Sequence, residues 1–375
     1  MELIRDLEAE ITENIAMQKV SILQGARRVG KTILLEKIFA NFTGAKLWLN
    51  GEDADIKKVL EYRSVANYKT LLQGAQLLVI DEAHHIDEIG YVTKLMIDSI
   101  KPLHIIISGS SAFDLAQQGY PLVGRDFNYK LFPLSQKEFA AKENSLTTKQ
   151  QLENKLIYGG YPELASITAN NKKQQYLKGL ITTYLFKDIL AFENIKSPDM
   201  LIKLLSLLAY QIGQEVSENE LSRQLGISKN TVAKYLELLQ KVFVIFPLSG
   251  YSKNMRKEIT NNKKWYFYDV GVRNAIINNF TSILIRQDIG QLWENYIIAE
   301  RLKKNQYSNN GAKQYFWRTY DQQEIDLLEE QGDNLQAFEM KWKAQKVKPP
   351  AAFTKNYEAA RFNIIHTDNY LEYIL

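Results

Sequence analysis

Gly25-Ala26-Arg27-Arg28-Val29-Gly30-Lys31-Thr32 combines two glycines, a lysine and a hydroxyl in the order that a phosphate cradle needs. The glycines let the backbone curl so that successive amide N–H groups face phosphate oxygens, and a helix starting here would aim its positive dipole end at the same anion. Lys31 would reach the β- and γ-phosphates, and the Thr32 hydroxyl would ligate Mg²⁺. Strand-like Val20 to Gln24 before the loop and helix-like Ile33 to Lys37 after it complete the expected context. The ligand this pattern predicts is a nucleoside triphosphate.

Downstream, Leu77-Leu78-Val79-Ile80-Asp81-Glu82 is an apolar run ending in two carboxylates, as a buried parallel strand delivers acids to a sheet edge. Asp81 is expected in the Mg²⁺ shell and Glu82 on the attacking water, a general-base role that contributes roughly 10²- to 10⁴-fold in rate. The competing reading is two surface acids after a core strand. Lys46 to Asn50 is a further strand candidate, and so is Leu103 to Ile107, which runs into Ser108-Gly109-Ser110-Ser111. Ser110 is the candidate here for a hydroxyl that senses the γ-phosphate, against a plain strand-to-loop turn. Arg125 is the candidate arginine completing the site, against an ordinary surface arginine. Asp81-Glu82-Ala83-His84 also spells a helicase box, but such helicases need a second ATPase-like domain, and the chain beyond residue ~150 reads as helices and a small mixed domain.

These residues must be carried by elements within a chain of 375 residues, enough for about two to three domains. An apolar share of 45% is that of a globular protein. No run approaches the ~18 to 20 apolar residues of a membrane span, and the N-terminus is charged and amphipathic, so the expectation is a cytoplasmic protein without a membrane partner. The absence of cysteine excludes disulfides and thiolate metal sites. Four scattered histidines argue against an imidazole-built zinc site, and adjacent His84 and His85 would point about 100° apart on a helix. A net charge of +4 permits a nucleic-acid partner without arguing for one.

Gly159-Gly160-Tyr161-Pro162 makes a sharp turn inside a helical segment, read as a lid over residues ~150 to 196. Ser197-Pro198 then opens an apolar helix from Asp199 to Ile212. Ser217-Glu218-Asn219-Glu220 is a capping box before a short helix, Leu221 to Leu225, and Ser228 caps a second, Thr231 to Leu239. Joined by Leu225-Gly226-Ile227-Ser228, they read as a helix-turn-helix. Strands at Val242 to Phe246 and Trp265 to Tyr268 would flank a basic loop with Lys253, Arg256, Lys257, Lys263 and Lys264, making a winged helix. Lys229, Asn230 and Lys234 would face outward toward DNA, the alternative being an interaction module. Further on come a helix, Ile289 to Lys304, with Glu294 and Glu300, a strand, Lys313 to Tyr320, and a hairpin turning at Gln331-Gly332-Asp333-Asn334. With period two, Glu339 and Lys341 share a strand face that Asp326 can join, a grouping suited to Mg²⁺-dependent phosphodiester hydrolysis or to a solvated hairpin face.

The whole pattern resembles the prokaryotic AAA-type P-loop ATPases that carry a C-terminal DUF4143 domain. The resemblance rests on Gly25 to Thr32, Leu78 to Glu82, Ser108-Gly109-Ser110-Ser111, Gly124-Arg125, Pro133-Leu134-Ser135, Gly159-Gly160-Tyr161-Pro162-Glu163, Tyr268-Asp269-Val270-Gly271 and Glu294-Asn295. It implies ATP with Mg²⁺ as cofactors. It also implies a C-terminal half similar to the PD-(D/E)xK, restriction-endonuclease-like fold, with Glu294, Asp326, Glu339 and Lys341 at its acidic and lysine positions; no proline precedes Asp326. The expected fold class is α/β, with a P-loop NTPase parallel sheet in residues 1–149, a helical lid in 150–196, a winged helix-turn-helix in 197–263 and the nuclease-like domain in 264–375. The expected function is an ATPase with a DNA-related role. Its alternatives are an ATP-driven switch acting through self-association or a protein partner, with an inactive nuclease-like domain, and an ATP-regulated nuclease.

Overall fold

Strand followed by helix is the repeating unit of residues 20–109, and parallel pairing of such units buries a run like Leu77-Leu78-Val79-Ile80 on both sheet faces. The computed structural model describes residues 4–109, 122, 124–185, 198–252, 263–319 and 321–375. Ser110, Ser111, Ser197, Lys253, Arg256, Lys257 and Tyr320 therefore lie outside the described residues. The chain divides into two units, Met1–Phe132 and Pro133–Leu375.

In the first unit, β1 (Val20–Gln24), β2 (Lys46–Asn50), β3 (Leu77–Asp81), β4 (His104–Gly109) and β5 (Asp126–Lys130) form a sheet in the order β2-β3-β4-β1-β5. Every pairing is parallel. The strand between the phosphate-loop strand and the acid-bearing strand in space is β4, whereas β2, which separates them in sequence, lies at the edge. Parallel order sends the carboxyl ends Gln24, Asp81 and Gly109 to one edge. Alternate residues Ile22, Leu78, Ile80, Ile105 and Ile107 pack with Tyr68, Val92 and Met96 on one face, and each such side chain contributes about 1.5 to 3 kcal/mol by its burial.

The second unit is built on seven strands. They are β6 (Glu215–Val216), β7 (Ile245–Gly250), β8 (Lys263–Phe267), β9 (Lys313–Arg318), β10 (Glu324–Gln331), β11 (Asn334–Met340) and β12 (Arg361–Ile365), in the order β12-β11-β10-β9-β7-β8-β6. The segment after Phe132 is tied to the second unit, since Leu134 N donates to Gly160 O at 2.7 Å and Gln136 N to Glu300 Oε2 at 2.6 Å. The hairpin β7–β8 continues into the C-terminal sheet through the parallel pair Ser249↔Tyr315.

Helices Pro198–Tyr210, Glu218–Leu225 and Lys229–Lys241 follow the apolar periods expected of them. Ser228 caps as expected, accepting from Thr231 N at 3.1 Å, but Ser217 makes no side-chain cap. The strand expected from Val242 begins at Ile245, since Val244 N donates to Leu239 O at 3.0 Å and closes the preceding helix instead. Gly159-Gly160 and Tyr268-Asp269-Val270-Gly271 meet as one lock. The buried Asp269 carboxylate accepts from Gly160 N at 2.7 Å and from Val272 N at 3.0 Å, and Asn274 Nδ2 donates to the carbonyls of Leu156 and Ile157, both at 2.9 Å. Among the described residues no helix is long and apolar enough to cross a membrane.

Candidate active site

The phosphate loop leaves β1 at Gln24 and enters the helix Lys31–Asn41 through Gly30, whose φ of 93° is left-handed. Gly25 cannot carry a side chain, since a Cβ there would lie 2.2 Å from the Leu131 carbonyl oxygen. Lys31 is buried and folds back on the loop, donating to Gly25 O at 2.8 Å and Ala26 O at 3.1 Å. Arg5 braces the loop from beneath, its guanidinium donating to Val29 O and to Phe132 O, each at 2.6 Å. Nothing in the spacing of the N-terminal segment singles out this arginine; its signal is a cation at the head of an amphipathic helix, Leu7–Asn14, that must pack on the sheet.

Asp81 ends β3 and accepts from Thr32 Oγ1 at 2.8 Å through Oδ2, while Ser108 Oγ donates to its Oδ1. Two oxygens so spaced fit adjacent ligands of an octahedral ion bound at about 2.0 to 2.1 Å, so Thr32 and Asp81 suit Mg²⁺. Glu82 follows in a left-handed conformation, φ 50°, with its N–H donated to Ser108 Oγ at 3.1 Å. Burial raises the Glu82 carboxyl above its ordinary value, against the lowering effect of Lys31 and Arg27. Ser108 was legible only as part of a hydroxyl-rich strand end. Its insertion beside Asp81 follows from the placement of β4 between β1 and β3.

His84 and His85 do not diverge as on an α-helix. They sit on a tight 3₁₀ turn, Ala83–His85, with ring centroids 4.1 Å apart, and Glu82, His84 and His85 bring one ligand atom each within 4.8 Å of the others. Burial, then the neighbouring cations, depresses His84 to about 3.

Arg125 does not complete this site in its own chain. It precedes β5, whose first residue Asp126 pairs with Val20 at the start of β1, so it lies at the edge opposite the phosphate loop, in an exposed ion pair with Asp98 at 2.7 Å.

The second unit holds its own charged cluster. Glu294 on the helix Ile289–Tyr307 accepts from Tyr266 Oη at 2.6 Å; Asp326 on β10 accepts from Met340 N at 2.7 Å; Glu339 on β11 pairs with Lys341 at 2.7 Å. The register Leu327↔Phe338 puts Asp326 and Glu339 at neighbouring positions of adjacent strands. Burial and mutual repulsion push Asp326 well above the usual carboxylate range, and burial raises Glu294. Lys264 is no loop residue. It is buried on β8, ion-paired to Glu324 and 3.7 Å from Glu294; burial alone would lower it, but these carboxylates hold it above its ordinary value. Among the described residues Glu294, Asp326 and Glu339 do not gather three ligand atoms within 4.8 Å. Lys229, Asn230 and Lys234 are exposed on the helix Lys229–Lys241.

Residues 17–140 match the family model described as an AAA domain, 149–282 a domain of unknown function, DUF8612, and 289–370 another, DUF4143. An uncharacterized protein of Mycobacterium tuberculosis is 25% identical over 346 residues, covering 90% of this chain and 73% of the relative. One from Haemophilus influenzae is 25% identical over 343 residues, with 84% and 80% covered. Among solved structures, a STAND protein with a tetratricopeptide repeat sensor from Pyrococcus horikoshii aligns with 15% identity and a TM-score of 0.33, covering 81% of this chain and 46% of that one.

Proposed function

From a chain that is an AAA-domain protein with a C-terminal DUF4143 domain, we infer an ATPase whose output concerns DNA. The observation that carries the ATPase reading is the contact of Thr32 and Ser108 with the two oxygens of Asp81, beside the phosphate loop and next to Glu82. Lys31 exchanges the carbonyls of Gly25 and Ala26 for β- and γ-phosphate oxygens, a ground-state grip. Thr32 and Asp81 hold Mg²⁺, which supplies charge neutralisation to the phosphates when bound. Ser108 fixes the Asp81 carboxylate, and Glu82 takes the proton of the attacking water, its raised pKa strengthening it as a base. Lys31→Ala should then weaken nucleotide binding, whereas Glu82→Gln should bind ATP normally and lose roughly 10²-fold or more in turnover. Equal hydrolysis by Glu82→Gln and the parent in a phosphate-release assay would remove the water from Glu82.

The helix-turn-helix and the β7–β8 hairpin make the winged helix of this reading, with Lys229, Asn230 and Lys234 toward DNA. The nuclease-like cluster is read as a fold retained without cleavage, because Lys264 already stands among Glu294 and Glu324 where a cation would neutralise the acids.

A further inference from the structure

We propose that Glu82, His84 and His85 form a binding site for a borderline divalent transition-metal ion of the zinc type, and that its occupancy arrests the ATPase. Imidazole and carboxylate donors at this spacing suit zinc, whose bonds to nitrogen and oxygen run about 2.0 to 2.2 Å and whose tetrahedral ligands therefore stand about 3.3 Å from one another. Glu82 Oε2 and His84 Nδ1 are already 3.2 Å apart, and one ligand atom from each of Glu82, His84 and His85 lies within 4.8 Å of the others. Glu82 Oε2 and His85 Nε2 are shielded from solvent and make no hydrogen bond among the described residues. Glu52 Oε1 lies 3.5 Å from His85 Nε2 but is not one of the three converging groups, so water would supply the fourth ligand.

Asp81 and Thr32 remain outside this set, so Mg²⁺ and the transition-metal ion have separate first ligands. The two are coupled through Glu82. A carboxylate committed to the metal cannot accept a proton from water, so the ion would act as a brake on turnover without occupying the phosphate loop. This second half rests on the assignment of Glu82 to the attacking water; the binding half does not.

The test uses the full chain, with Mg²⁺ in excess so that Thr32 and Asp81 are saturated, and Zn²⁺ alone as probe. Equilibrium dialysis should show one Zn²⁺ per chain in the parent, with affinity about tenfold or more weaker in His85→Gln and in His84→Asn, two variants that remove different donors. Zn²⁺ should inhibit ATP turnover of the parent over the range in which it binds, while His85→Gln turns over like the parent in its absence and resists inhibition. Parent and both variants binding Zn²⁺ alike, or the parent not binding it, overturns the site. Binding that both variants lose, with parental turnover indifferent to Zn²⁺, overturns the brake. A parent that binds Zn²⁺ but hydrolyses no ATP refutes the ATPase reading, and with it the brake, while the binding result stands.

Discussion

Ser108 lies at the carboxyl end of β4 beside Asp81, whereas Arg125 precedes β5 at the opposite end of the parallel sheet. A strand inserted between β1 and β3 must bring its carboxyl end beside Asp81, and the Ser108 hydroxyl bridges the Asp81 carboxylate to the Glu82 N–H. Ser108→Ala should therefore lower turnover by about tenfold or more while leaving ATP affinity within a few-fold, since losing a bond to a charged group costs ~1.5 to 3 kcal/mol. Arg125→Ala should leave turnover within about twofold, because exposed pairs such as Arg125–Asp98 contribute little. A tenfold fall in that variant would assign the arginine to a neighbouring chain's site. His104, buried on β4 with Nε2 3.0 Å from Ser21 Oγ, carries a pH prediction. Burial lowers it from the ordinary 6.5 to about 4, so between these values the unfolded chain binds more protons than the folded one. Stability should fall as pH drops from about 6.5 toward about 4 and be insensitive to this group above that range. Urea unfolding at pH 4.5 and 7.5 should give a smaller difference for His104→Gln than for the parent; an equal difference would show that His104 is not the group being titrated.

Elements with a strong local period were legible, and elements whose place depends on partners distant in the chain were not. The strand and helix flanking the phosphate loop, the strand ending at Asp81 and the turn Gln331 to Asn334 carry their geometry in adjacent residues, and these elements lie where they are expected. Lys264 reads as one more cation of a basic run, because only pairing with β7 and β6 turns it toward Glu324 and Glu294. Arg5 is similarly silent, its two acceptors lying 24 and 127 residues away. Gly159 and Asp269 stood out as landmarks, but spacing could not tell whether they catalyse or build. The structure answers through contact. Gly159 has φ +76°, and a Cβ on it would lie 2.1 Å from Asp269 Oδ1, so the glycine is needed for both conformation and space. Burial raises the Asp269 carboxyl, and backbone N–H groups compensate it. Gly159→Ala should thus destabilise the second unit by about 2 to 4 kcal/mol, read as a lower urea midpoint, since overpacking and a strained backbone add. A midpoint unchanged within error would mean the lock yields without cost.

At the scale of the whole molecule, the chain joins a unit matched by the AAA-domain model to a unit whose seven-stranded sheet continues the β7–β8 hairpin into the DUF4143 region. The parallel pairing of β7 with β9 joins the β7–β8 hairpin and the C-terminal strands in one sheet. If the second unit meets DNA, Lys264 is not among the cations it offers, for it is committed to Glu324 and Glu294 inside the sheet. Lys234 is exposed on the helix Lys229–Lys241, and Lys229 has only a loose partner, Glu218 at 3.8 Å. Each phosphate contact releases counterions, so Lys229→Ala and Lys234→Ala should each reduce the slope of log affinity against log salt by about one, with little change in sequence preference. Fluorescence anisotropy with duplexes of unrelated sequence over a salt series measures both quantities at once. An unaltered slope in the double variant, in a protein that still binds, would move the contact off this helix. No binding by the parent at low salt would leave the helix-turn-helix as a protein-contact element and favour the switch reading of the ATPase.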